Sequence, residues 1–171
     1  MAQSARRALL RLLVGVLPAG GLAACGFQLR QPAELPYQRI ALSGFASRSP
    51  FAEAIRRELP ERVQLVEQPA QAEVQVVADE DRLHRTVVAS TAVGQVREFR
   101  LRVRLRFHFA TPQGEPLGPV AELEQSRDMS YAESYALGKE VEEQELLREM
   151  RGDIARQLLQ RLAAQGRATA R

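Results

Sequence analysis

The chain has one cysteine, Cys25, and two histidines among its 171 residues. A lone thiol cannot close an intrachain disulfide, so the fold has to be held by its core. No apolar run after Cys25 approaches the roughly 18 residues that a membrane-spanning helix needs. After Cys25 glycines occur singly, which excludes a phosphate-cradling loop there, and no Gly-x-Ser-x-Gly elbow is present. His84 and His108 lie on expected strands with no Cys, Asp or Glu at metal-ligand spacing, and read as surface histidines. Asp79-Glu80-Asp81 lacks the spacing of a calcium loop and reads as a solvated strand end. No catalytic constellation results, so the sequence reads as a non-enzyme with no metal and no cofactor.

Excess charge is also missing. The formal net charge is +3, but Arg6, Arg7 and Arg11 supply that excess in an N-terminal segment without acids. Removing these three from the 24 basic residues leaves 21 against 21 acidic ones. A nucleic-acid partner therefore has no support.

That N-terminal segment has three blocks. Arg6 and Arg7 precede an apolar stretch over 9–17, interrupted only by Arg11, and Leu22-Ala23-Ala24-Cys25 follows. Basic flank, short apolar core and small residues form a secretion signal rather than a membrane span. Leu-Ala-Ala-Cys matches the bacterial lipobox, in which cleavage precedes the cysteine and the thiol is diacylated. The expected organisation is a signal peptide over 1–24, lipidation at Cys25 and a tether over 25–36. A single domain over 37–165 and a flexible tail over 166–171 complete it. Two or more acyl chains give lasting membrane attachment. Gly26 stands where lipoproteins kept in the inner membrane carry Asp, which points to the outer membrane, with the domain on its periplasmic face.

Periodicity supplies the elements. Strands are expected over 37–42, 63–66, 73–77, 83–90, 99–109 and 117–131. Ser49-Pro50 is an N-cap followed by proline at the first helical position, and Phe51, Ile55 and Leu59 form one stripe of that helix. A long helix over 135–164 places Leu137, Val141, Leu147, Met150, Ile154, Leu158 and Leu162 at helical spacing. Its acids (Glu140, Glu142, Glu143, Glu145) precede its arginines, as the helix dipole favours.

Residues 99–109 alternate without exception: Phe99, Leu101, Val103, Leu105, Phe107 and Phe109 against Arg100, Arg102, Arg104, Arg106 and His108. Strict period 2 means one buried and one polar face. Arginines one face-repeat apart, about 7 Å, repel by roughly 0.6 kcal/mol in water, and by more when covered, so they need acids nearby. If the 111–116 turn sets a register in which paired numbers sum to 226, Arg104 faces Glu122 and Arg102 faces Glu124. Leu105 then faces Ala121, and Val103 faces Leu123. Arg100 and Arg106 would face Ser126 and Val120 and stay unpaired, free for an anionic partner.

Several segments together resemble the LptE (rare lipoprotein B) family of lipopolysaccharide-assembly lipoproteins. They are Cys25-Gly26-Phe27-Gln28-Leu29-Arg30; Gly94-Gln95 with Glu98-Phe99; and Tyr135-Ala136-Leu137-Gly138-Lys139-Glu140, running on through Glu143-Gln144, Arg148-Glu149-Met150 and Arg161-Leu162. The resemblance implies an α+β fold, two helices packed on one face of a mostly antiparallel four-stranded sheet. It implies a plug in the lumen of LptD, an outer-membrane β-barrel, help in that barrel's assembly, and binding of lipopolysaccharide during its export. A basic residue that the family uses for this ligand falls at Lys139, the chain's only lysine. A second falls at Ala92, where this chain departs from the pattern, and Arg97 or Arg85 would have to substitute. The expected ligand residues are thus Lys139, Arg97, Arg100 and Arg106. The competing readings are a freestanding periplasmic lipoprotein for another anionic ligand and a tethered hydrolase using Glu142 or Glu143.

Overall fold

The computed structural model describes residues 34–169; the signal segment, Cys25 and the tether up to residue 33 lie outside the described residues. Five strands follow in the chain: β1 (Arg39–Ser43), β2 (Gln64–Val66), β3 (Val74–Ser90), β4 (Val96–Ala110) and β5 (Ala121–Ser130). Helix α1 (Pro50–Glu58) joins β1 to β2, and helix α2 (Ala136–Thr169) ends the described chain. The sheet order is β2-β1-β3-β4-β5. Strand β1 runs parallel to both β2 and β3, whereas β3, β4 and β5 form an antiparallel meander.

The class is therefore α+β, with five strands and mixed pairing where four mostly antiparallel ones were expected. The sequence pattern by itself marks six strand segments, and they become five because two of them join in β3. The sequence divides it into 73–77 and 83–90 because Asp79-Glu80-Asp81 breaks the apolar pattern. The backbone runs straight through as one strand of 17 residues, with a register shift between Ala78 and Glu80. The bulge leaves Asp79 unpaired and keeps Ala78 on the inner face and Glu80 on the outer one.

Both helices cover one sheet face. Ser49 caps α1, its Oγ accepting from the N–H of Phe51 (3.2 Å) and Ala52 (3.3 Å). That hydroxyl also donates to Asp81 on the inner face of β3 (2.8 Å), fixing the helix to the sheet. Phe51, Ala54 and Ile55 of α1 are buried. On β4 the inner residues Leu101, Val103, Leu105 and Phe107 are wholly buried, against Met150, Ile154, Leu158 and Leu162 of α2 in the same core.

Helix α2 departs from expectation at both ends. The apolar stripe is buried only from Leu147 onward; Leu137 is 82% and Val141 61% exposed. The first turns of α2 thus run past the core. At the other end the helix continues to Thr169, beyond the expected stop before Gly166. Gly166 is buried, and a Cβ there would lie 2.3 Å from Cγ of Pro36 and 3.0 Å from the Tyr37 ring. Glycine at this position seats the chain entering the domain; it does not end the helix.

Candidate functional surfaces

The outer sheet face has no covering layer among the described residues, and it is built on the even positions of β4. The arginines there are neutralised from both sides, in a register unlike the expected one. Pairing of β4 with β5 sums to 228: Arg100 faces Asp128, Arg104 faces Glu124 and Arg106 faces Glu122. The turn does begin in the expected register, since Ala110 bridges Pro116 and Leu117 donates to the Phe109 carbonyl at 2.8 Å. Residues 117–120 then leave the ladder, because Pro119 has no N–H to give, and pairing resumes two residues out of step. An even slip preserves the faces and changes only the partners.

Arg100 and Arg106, expected to be unpaired, are therefore both partnered. Arg100 holds Asp128 with two hydrogen bonds of 2.6 and 2.8 Å, while Arg106 lies 3.7 Å from Glu80 and 3.9 Å from Glu122. Arg102 reaches Glu124 at 3.2 Å. Glu80 is the hub, 2.5 Å from Arg82 and 3.0 Å from Arg104. His108 Nδ1 lies 2.9 Å from Asp79. The three consecutive acids thus go three ways: Asp79 to His108, Glu80 to the arginines, Asp81 inward to the Ser49 cap. Sequence reasoning missed the roles of Glu80 and Arg82; only the bulge, invisible as a pattern, aims the acids this way.

Partial desolvation pushes the Glu80 carboxyl up, but Arg104, Arg82 and Arg106 together outweigh it and hold it below its ordinary value of 4.5. The Arg100 hydrogen bonds likewise hold Asp128 below 3.8. A depressed carboxyl stabilises the fold above its unfolded value, and that contribution is lost as pH falls through the lower folded one. Urea unfolding should therefore show stability declining as pH drops below about 4. The decline should be shallower in the Glu80→Gln/Asp128→Asn double variant; an identical slope would contradict the hub.

Lys139 and Arg97 sit elsewhere, on either side of the 130–135 connection between β5 and α2. Lys139 Nζ donates to Ser130 Oγ (3.0 Å) and Glu142 (2.7 Å) and is only 20% exposed. Arg97 accepts at its carbonyl from the Tyr131 N–H (2.8 Å), and its guanidinium reaches Gln95 at 3.4 Å. A shallow recess of about 230 Å³ lies here, lined by Gln95, Val96, Arg97, Ala132 and Ser134. Arg85, the other basic group considered for the place of Ala92, is committed: it stacks 3.8 Å over Phe99 and lies 3.4 Å from Glu143. The structure thus separates the four expected ligand residues into two places. Lys139 and Arg97 border one connection, and Arg100 and Arg106 belong to the ion-pair ladder.

Among the described residues no group of three His, Cys, Asp or Glu could hold a metal, and no helix is long and apolar enough to cross a membrane.

A model of the LptE family, described as lipopolysaccharide-assembly, matches residues 37–162. Among solved structures, an uncharacterized lipoprotein B from Nitrosomonas europaea aligns at TM-score 0.67 and 23% identity, covering 81% of this chain and 91% of its own. Rare lipoprotein B from Shewanella oneidensis aligns at 0.63 and 24%, covering 78% and 99%. A minor lipoprotein from Acinetobacter baumannii aligns at 0.61 and 20%, covering 76% and 93%. At these identities the likeness is one of fold. No curated protein sequence matches the chain.

Proposed function

Because the chain belongs to the LptE family of non-enzymatic lipopolysaccharide-assembly lipoproteins, we propose that it is the lipid-anchored partner of an LptD-like outer-membrane β-barrel. In this reading it plugs that barrel, helps it assemble and binds lipopolysaccharide on its way to the outer leaflet. The family match over 37–162 carries the reading. The one-sided sheet supports it physically. A barrel lumen is polar and wet, and a plug for it needs a compact core under a charged, hydrogen-bonding exterior, which the ladder on β4 provides. The anchor is the lipid on Cys25, and the membrane is the outer one, with the domain on its periplasmic side.

Lipopolysaccharide carries phosphates and sugar acids; Arg97 supplies a guanidinium at the shallow recess, and Lys139 an ammonium on Ser130, at the start of the same 130–135 connection. Each charge-assisted hydrogen bond is worth about 1.5–3 kcal/mol. The Lys139→Ala/Arg97→Ala pair should therefore weaken binding of labelled lipopolysaccharide by about tenfold or more. Arg100 and Arg106 belong to the ladder with β3 and β5 and not to the 130–135 connection, so the Arg100→Ala/Arg106→Ala pair should leave it within about twofold. Equal losses in both variants would move the ligand to the ladder. No loss in either would remove the binding site from this domain and favour a ligand of another kind.

A further inference from the structure

Ion pairing along α2 leaves an uneven remainder. Lys139 takes Glu142, Arg148 takes Glu145 and Arg85 takes Glu143, while Arg156 holds both Asp153 and Glu58. Four exposed charges of the helix have no such partner among the described residues: Glu140 and Glu149 in its first half, Arg161 and Arg167 in its second. From residue 154 to residue 169 the helix contains no acid at all. Glu149 and Arg161 lie about 18 Å apart along the axis at 1.5 Å per residue. That is about twice the screening length in physiological salt, so the two ends do not cancel each other. The helix dipole explains a cation in the last turn, at Arg167. Its influence fades within that turn, and Arg161 stands about two turns before the end.

The positive end is also where the chain enters the domain, since Gly166 lies against Pro36 and Tyr37. Glu34 is nine residues on from Cys25. At no more than about 3.6 Å each, they keep this end within about 30 Å of the bilayer that takes the Cys25 acyl chains. The linking segment carries Arg30 and no acid. Two acids, Glu34 and Glu61, stand in the segments beside Leu35, where Arg62 donates to the Leu35 carbonyl (3.2 Å), so the net pull comes from α2. Ala164 and Ala168 are exposed between Arg161 and Arg167, and such short side chains let both guanidinium groups reach a flat surface. We propose that the exposed side of the last three turns of α2 rests on the anionic phospholipid headgroups of the leaflet that holds the Cys25 acyl chains. Guanidinium forks hydrogen-bond phosphates through paired N–H groups. The same surface repels Glu140 and Glu149, so the helix tilts with its first turns away from the bilayer. The inference rests on the Cys25 anchor reading and concerns the anchored chain before a barrel takes it up. Two arginines orient a chain that the acyl groups already hold; they are too few to hold it alone.

The experiment puts a fluorescent label on single added cysteines of the lipidated chain, whose own Cys25 is blocked by lipid. Ala164→Cys lies between the arginines, and Val93→Cys lies on the exposed β3–β4 hairpin, at the end where β4 meets the close of β5. The chain is mixed with phosphatidylcholine vesicles, with or without phosphatidylglycerol, that carry a quencher on the headgroup. Adding phosphatidylglycerol should raise quenching at position 164 at least about threefold and leave position 93 unchanged. The further change Arg161→Glu/Arg167→Glu should abolish the rise while the chain still floats with the vesicles. Salt at about 1 M should do the same to the unaltered arginines, because screening then shrinks to about 3 Å. An equal rise at both positions, no dependence on phosphatidylglycerol, or a rise indifferent to the double variant and to salt would overturn the proposal and leave the anchor standing. Self-quenching of the label at 164 in phosphatidylcholine alone would make this side a contact between copies, which overturns it too. A chain that floats with neither kind of vesicle fails at the anchor, and the proposal falls with it. If the double variant does not fold, the salt result decides.

Discussion

Gly44→Ala should cost about 3 kcal/mol or more of stability, lowering the thermal midpoint by on the order of 10 °C. Gly44 ends the β1 segment at a φ of 75°, in the left-handed region, where a side chain costs about 1–2 kcal/mol. A Cβ here would also lie 2.3 Å from the Ala78 carbonyl oxygen. That oxygen sits at the bulge that sends Glu80 to the outer face and Asp81 to the Ser49 cap. It cannot retreat without disturbing β3 and the start of α1. Gly114 separates the two effects: its φ is 90°, yet nothing lies within 4 Å of its would-be Cβ. Gly114→Ala should therefore carry only the conformational part, about 1–2 kcal/mol. Equal losses at the two positions in urea melts would show that the contact with Ala78 is soft.

Cys25→Ser should abolish membrane attachment and leave the fold intact. Each buried CH₂ of an acyl chain contributes about 0.8 kcal/mol, and two chains hold a protein to a bilayer over long times. The described domain has no apolar helix to replace them, and its core runs from Leu35 to Ala163 without reference to the cysteine. Mixed with phospholipid vesicles, the lipidated chain should sediment with them and the serine variant stay in the supernatant, both with the same far-ultraviolet dichroism. A serine variant that sediments equally would show that some other surface binds the bilayer.

What the sequence reveals and what it conceals divide along physical lines. The β4 alternation is readable because one face is fully buried; Leu101 to Phe107 land where expected. The partners of Arg100 and Arg106 are not readable, because residues 117–120 step out of the ladder and a two-residue slip leaves hydrophobic patterning unchanged. The α2 stripe looks uniform from Leu137 to Leu162, but apolar spacing carries no information about where the opposing surface stops, so Leu137 and Val141 emerge exposed. Gly166 resembles a helix stop and is a close-packing site against Pro36 and Tyr37, a contact between chain ends that local pattern cannot show. Of the expected ligand residues, Lys139 and Arg97 end at the same 130–135 connection, Lys139 on Ser130 and the Arg97 carbonyl on the Tyr131 N–H. Sequence distance gave no hint of that, because the 130–135 connection brings them together.

The account centres on a partner, an outer-membrane barrel, and the most direct test is to solubilise outer membranes in mild detergent and capture the tagged chain. The prediction is an equimolar complex with one large β-barrel protein, identified by mass, that persists through size-exclusion chromatography. Recovery of the chain as a monodisperse monomer, with no barrel retained at any detergent concentration, would contradict it.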